Sequence, residues 1–81
     1  MQFPCEFPIK IIGKNTPLFF EEIRDIVRKH FPNIVDDAIC SQASHQNNYL
    51  AITATVTALD QATLDALYLE LTNHPAIKMV L

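Results

Sequence analysis

The chain is short of almost everything a catalytic or nucleic-acid-binding reading would need. Six lysines and arginines stand against nine acidic residues in 81, a net charge of −3. That balance gives no electrostatic reason to approach nucleic acid or an anionic membrane. Its two cysteines, Cys5 and Cys40, form no CxxC pair and read as small buried thiols. The opening MQFPCEFPIK lacks a basic segment followed by a long apolar run, so it does not read as a signal peptide. Residues 38–59 carry no charge, yet Ser41, Gln42, Ser44, His45, Gln46, Asn47 and Asn48 break the stretch, so it is no membrane span. A cytoplasmic protein is expected. There is one glycine, Gly13. His30, His45 and His74 are far apart, fall on a turn and two helix ends, and read as cap or surface residues. No nucleophile–base pair and no metal-ligand spacing can be named. The expectation is a protein that is not an enzyme and holds no cofactor or metal.

What is present is a fold. Apolar residues make up 49% of the chain and charged residues 19%, which argues against disorder. A chain this size is one domain, 1–81, and buries roughly 60–65% of its unfolded surface, so its core is small. The organising stretch is YLAITATVTA at residues 49–58. Leu50, Ile52, Ala54, Val56 and Ala58 alternate with Tyr49, Ala51, Thr53, Thr55 and Thr57. This period of two sends one set to each face of a strand, and Thr, Val and Ile suit a pleated surface. With no proline or charge in the run, the strand can be paired on both edges.

Residues 3–12 (FPCEFPIKII) read as the first strand, with regular pairing from about Phe7 because Pro4 and Pro8 lack a donor N–H. Phe7, Ile9 and Ile11 share one face; Lys10 and Ile12 take the other. Gly13 ends the strand. Thr16 then caps a helix that has Pro17 at its first position. Phe19 or Phe20, Ile23, Ile26, Val27 and His30 or Phe31 form its apolar stripe. Glu21 and Glu22 near its start, and Arg28 and Lys29 near its end, favour the helix dipole, and Asp25 can pair with either base. Pro32 stops it. Residues 36–44 read as a weaker edge strand whose facing is not set by its sequence. A turn follows at residues 44–48, where Asn47 and Asn48 tolerate the positive φ that such turns often need. Asp60 is the N-cap of a second helix, with Leu59 and Leu64 at staple spacing and a stripe of Leu64, Leu67, Tyr68 and Leu71. His74-Pro75 ends that helix, and residues 76–81 (AIKMVL) form a short final strand.

Strand, helix, strand, strand, helix, strand, with only one aliphatic face on the central strand, puts both helices on one side of the sheet. Right-handed crossovers then favour an α+β, ferredoxin-like βαββαβ sandwich: a four-stranded antiparallel sheet in order 4-1-3-2. Its other face has no cover and would show Lys10, Ile12, Thr53, Thr55 and Thr57. That neutral surface desolvates cheaply, so it can stay solvated, pair in a dimer or receive a protein partner. RNA is not expected there, because base stacking wants outward aromatics and a basic surround. The first and second strands flank the third at about 9–10 Å, too far for a Cys5–Cys40 disulfide.

The stretches FPCEFPIKIIG (3–13), KHFP (29–32), NYL (48–50), LDALYLEL (64–71) and the terminal KMVL together resemble the YbeD-like family of small bacterial proteins. The resemblance spans nearly the whole chain and rests on the order and spacing of these stretches. It implies the same helix-covered sheet, similar to ACT-type regulatory domains that bind amino acids. A link to lipoate metabolism or to allosteric regulation has been suggested for that family. The ACT-like likeness also singles out Gly13, Lys14 and Asn15, where a small ligand could meet backbone N–H groups at a helix start. The alternative is a glycine at a left-handed turn position with Lys14 and Asn15 solvated. Gln46-Asn47 stands where the family commonly has Lys-Gly, and residues 34–43 match loosely.

Overall fold

A computed structural model describes residues 4–81, apart from the side chain at position 45. Phe3, where the expected first strand begins, and the His45 side chain lie outside the described residues. The elements are β1 (Cys5–Lys14), α1 (Phe19–His30), β2 (Ile39–Ala43), β3 (Tyr49–Ala58), α2 (Gln61–Thr72) and β4 (Ile77–Val80). Short 3-10 turns at Asp36–Ala38 and His45–Asn47 flank β2. The strands lie in the order β2-β3-β1-β4 and every pairing is antiparallel. This is the ferredoxin-like order expected from the helix-and-strand alternation.

The core follows the two periodicities. Ile9 and Ile11 of β1 and Ile52, Ala54, Val56 and Ala58 of β3 are fully buried. Phe19, Ile23 and Val27 of α1 and Leu64, Leu67 and Leu71 of α2 join the same cluster, so both helices cover one side of the sheet. Asp60 caps α2: its carboxylate accepts from the Thr63 N–H at 2.8 Å and the Thr63 hydroxyl at 2.8 Å. Those bonds hold its pKa below the usual carboxylate value.

Several local expectations are corrected. Thr16 does not cap α1; its carbonyl accepts from the Phe19 N–H at 3.2 Å, and the helix begins two residues later without a side-chain cap. Pro17 suits the second position of that turn as well as it suits a helix start. The Asp25 pairs do not form: Arg28 instead bonds Asp36, and Lys29 bonds Glu70 of α2. With Asp36 tied to α1, residues 36–38 turn rather than extend, and β2 starts at Ile39. Leu59 remains 73% exposed, so no staple buries it. Positive φ falls on Gln46 (72°) and Asn47 (59°), one position earlier than expected.

Gly13 does not end β1. It sits within the strand, buried, opposite Leu50 on one side and Ile77 on the other, and its φ is not positive. Its lack of a side chain serves packing. A Cβ there would stand 2.3 Å from Cζ of Phe19 and 2.6 Å from the Ala76 carbonyl oxygen. The β1–β4 register also shifts between Ile12 and Gly13, which gives β4 one extra residue at the bulge.

Candidate functional site: the open face of the sheet

Residues directly opposite in antiparallel strands point to the same side, so the register reads the uncovered face row by row. Lys14 stands opposite Tyr49. Ile12 lies between Ala51 and Met79, with Gln42 beyond Ala51. Lys10 lies between Thr53 and Leu81: the Lys10 N–H donates to the Leu81 carbonyl at 3.1 Å, and the Lys10 carbonyl accepts from the Leu81 N–H at 2.8 Å. Cys40 lies beyond Thr53. Thr55 then faces Pro8, and Thr57 faces Glu6. The structure thus brings Lys10, Ile12, Thr53, Thr55 and Thr57 onto one face.

That face is more apolar than its threonines imply. Tyr49 is 44% exposed, Met79 50% and Leu81 60%, and they surround Ile12 and Ala51. A shallow depression of about 480 Å³ is lined by Lys10, Ile12, Cys40, Tyr49, Ala51 and Thr53 among others. Neither Lys10 nor Lys14 forms an ion pair among the described residues. The face is therefore an apolar band with an unneutralised cation at its middle. Tyr49 also corrects the expectation that no aromatic faces outward from the central strands. Its position in the period-two set was legible; the contribution of Met79 and Leu81 was not, because the bulge at Ile12–Gly13 sets the facing of β4.

The register settles β2 as well. Ile39 faces the helices opposite Ala54, while Cys40 and Gln42 take the open face. Cys40 is exposed and Cys5 half-buried, so the expectation of two buried thiols holds for neither in full; both are free. Cys40 Sγ lies 3.7 Å from the Asp37 carbonyl oxygen.

The Gly13–Lys14–Asn15 segment is closed by its own hydrogen bonds. The N–H groups of Lys14, Asn15 and Thr16 donate to the carbonyls of Ala76 (3.1 Å), Asn48 (3.2 Å) and Lys14 (3.0 Å). The Asn15 side-chain amide donates to the Asn47 carbonyl at 3.0 Å, tying the end of β1 to the β2–β3 turn. With Phe19 and Ala76 against Gly13, none of the three residues lines the depression on the open face.

Among the described side chains, His30 and His74 each bond a glutamate of the other helical segment rather than meeting at one site. His30 Nε2 lies 2.8 Å from Glu70 Oε1, which Lys29 also reaches at 3.2 Å. These partners hold the Glu70 pKa below the usual carboxylate value. His74 Nδ1 accepts from the Ala76 N–H at 3.1 Å, so the neutral ring carries its proton on Nε2 and donates it to Glu22 at 2.7 Å. Its ring also meets Phe19 edge to face at 6.0 Å. Among the described residues, no group of three or more His, Cys, Asp or Glu side chains could hold a metal ion. No helix among them is long and apolar enough to cross a membrane.

The profile of the family described as "Protein of unknown function (DUF493)" matches residues 1–81. The chain belongs to the DUF493 family. Similar relatives carry the name UPF0250 protein. One, from Paraburkholderia phytofirmans, is 46% identical over 81 residues, covering 99% of this chain and 90% of its own. Those from Leptothrix cholodnii and Chromobacterium violaceum are 42% and 41% identical, covering 100% and 99% of this chain and 89% and 90% of theirs. This membership agrees with the YbeD-like resemblance read from the sequence.

Proposed function

We propose that this DUF493-family chain is a non-catalytic interaction module of the bacterial cytoplasm, regulatory in the manner of ACT-like domains. Its working surface is the open face of the sheet. The observation that supports this is the row of Tyr49, Ile12, Met79 and Leu81, which the chain's own helices leave in water. Contiguous exposed apolar surface of this kind marks protein contacts more often than chance placement. Lys10, central and without an ion-pair partner, selects an acidic group on whatever covers the face. A second copy supplies one: Glu6 lies on the same strand and the same face as Lys10, so a two-fold axis between them sets each Lys10 against the other's Glu6. One outward aromatic and an acidic chain do not favour nucleic acid.

The test is molecular mass by light scattering across the micromolar range, for the wild type and for Met79→Glu and Thr53→Asp. A mass above the monomer that both substitutions return to the monomer supports self-association. If the wild type is monomeric, affinity capture from the native bacterium decides. A protein retained by the wild type and lost with Met79→Glu supports a heterologous partner, and a lipoate-pathway enzyme among the retained proteins supports the suggested metabolic link. A monomer that retains nothing selectively overturns the reading.

A further inference from the structure

The connection between α1 and β2 leaves a second concavity, at the edge of the sheet. β2 pairs with β3 only as far as Ala54, whereas β3 continues to Ala58 against β1 alone. Between that overhang and the segment from Phe31 to Ala38 lies a cavity of about 400 Å³. This is within the range of small-ligand sites, roughly 300–1,000 Å³.

Its walls are of two kinds. Phe31, Ile34, Val35 and Leu59 are apolar, and Val35 and Leu59 stand 65% and 73% exposed. The charged residues lining it, Glu6 and Asp60, are both acidic, and no lysine or arginine lines it. The basic side chains at the end of α1 are already engaged: Arg28 by Asp36, Lys29 by Glu70. His30 lines the cavity with its Nε2 held by Glu70. Asp60 is partnered by neutral donors and remains ionised. Glu6 has no hydrogen-bond or ion-pair partner among the described residues. An apolar wall beside an uncompensated carboxylate is complementary to one kind of molecule.

We propose that this cavity binds a small amphiphilic cation. Its aliphatic or aromatic body lies on Ile34, Val35 and Leu59, and its ammonium or guanidinium group lies at Glu6. The threonine hydroxyls of Thr55 and Thr57 line the same cavity and accept from its remaining N–H groups. Both threonines also belong to the open face, so an occupant touches one end of the interaction surface. Glu6 is also the carboxylate that the proposed dimer sets against a second copy's Lys10, so the small cation and a second copy compete for it.

The test is amide-resolved NMR titration of the whole chain. The probes are phenethylamine, isoamylamine and agmatine, with 3-phenylpropionate as the body-matched anion. The expected result is saturable shifts at Val35, Thr55, Thr57 and Leu59 with at least one amine at millimolar concentration, and none with the carboxylate. Glu6→Gln, an exposed substitution, weakens amine binding about two- to fivefold, the size of one partly exposed ion pair. Leu59→Ser weakens it as well, and leaves the rest of the spectrum in place. The proposal is overturned if no amine saturates, if 3-phenylpropionate binds equally well, if the shifts lie elsewhere, or if Glu6→Gln binds as the wild type does.

Discussion

Gly13→Ala should destabilise the protein, although the position is in a strand with ordinary φ, where alanine is normally the better residue. The new Cβ would stand 2.3 Å from Phe19 Cζ, 2.8 Å from Phe19 Cε1 and 2.6 Å from the Ala76 carbonyl oxygen. Carbon atoms pack at about 3.5–4.0 Å, so the Phe19 ring must retreat by more than an ångström. It has little room, being 1% exposed and set edge-on against His74. The Ala76 carbonyl is held by the Lys14 N–H, so that side cannot yield without opening the bulge. Overpacking of this kind costs about 1–3 kcal/mol. The lower entropy of the unfolded alanine chain returns about 0.4–1 kcal/mol. The net loss at mid-range is about 1–1.5 kcal/mol, so Tm falls by about 4–12 °C for a chain of this size. Urea and thermal unfolding followed by circular dichroism measure it. Phe19→Leu removes both ring atoms in the clash, so the double variant should be less destabilised than the sum of the singles by about 1 kcal/mol. A Gly13→Ala protein as stable as the wild type, or strictly additive singles, would refute the packing argument. The same clash makes a bulky residue at 13 unusable as a probe of ligand binding, since it would unfold the site it was meant to block.

Two further outcomes follow from local geometry. Gln46 is held at φ 72°, a conformation that glycine adopts without cost, so Gln46→Gly should raise stability by about 1 kcal/mol in urea unfolding. Glu70 has a lowered pKa in the folded protein because His30 and Lys29 bond its carboxylate. The unfolded chain therefore binds a proton first on acidification, and the Glu70 contribution is present above the ordinary carboxylate pKa and lost as pH falls through the lowered value. Glu70→Gln should lower the urea midpoint at neutral pH and shrink the difference between pH 7 and pH 3; an unchanged pH profile would count against the His30–Glu70–Lys29 contact.

Much of this molecule was legible in its residues because two periods, that of a strand and that of a helix, run clearly through it. The alternation from Tyr49 to Ala58 and the stripes Ile23–Val27 and Leu64–Leu67–Leu71 each name a buried face, and burying all three at once leaves one architecture. Asp60 was readable as a cap because its partner, Thr63, is three residues away. Arg28 and Lys29 were placed correctly at the end of α1, but their partners were misassigned for the converse reason: they find Asp36 and Glu70, whose proximity depends on tertiary packing.

The chain's own order of residues determined the strand and helix alternation and the side of the sheet that the helices cover. Only the tertiary structure decided why Gly13 is a glycine, where Met79 and Leu81 face, and that the connection between α1 and β2 stands off the edge of β3. Periodicity along a chain records which side of an element is buried. Register, a bulge and the gap between two distant segments are relations between elements, and no local pattern carries them.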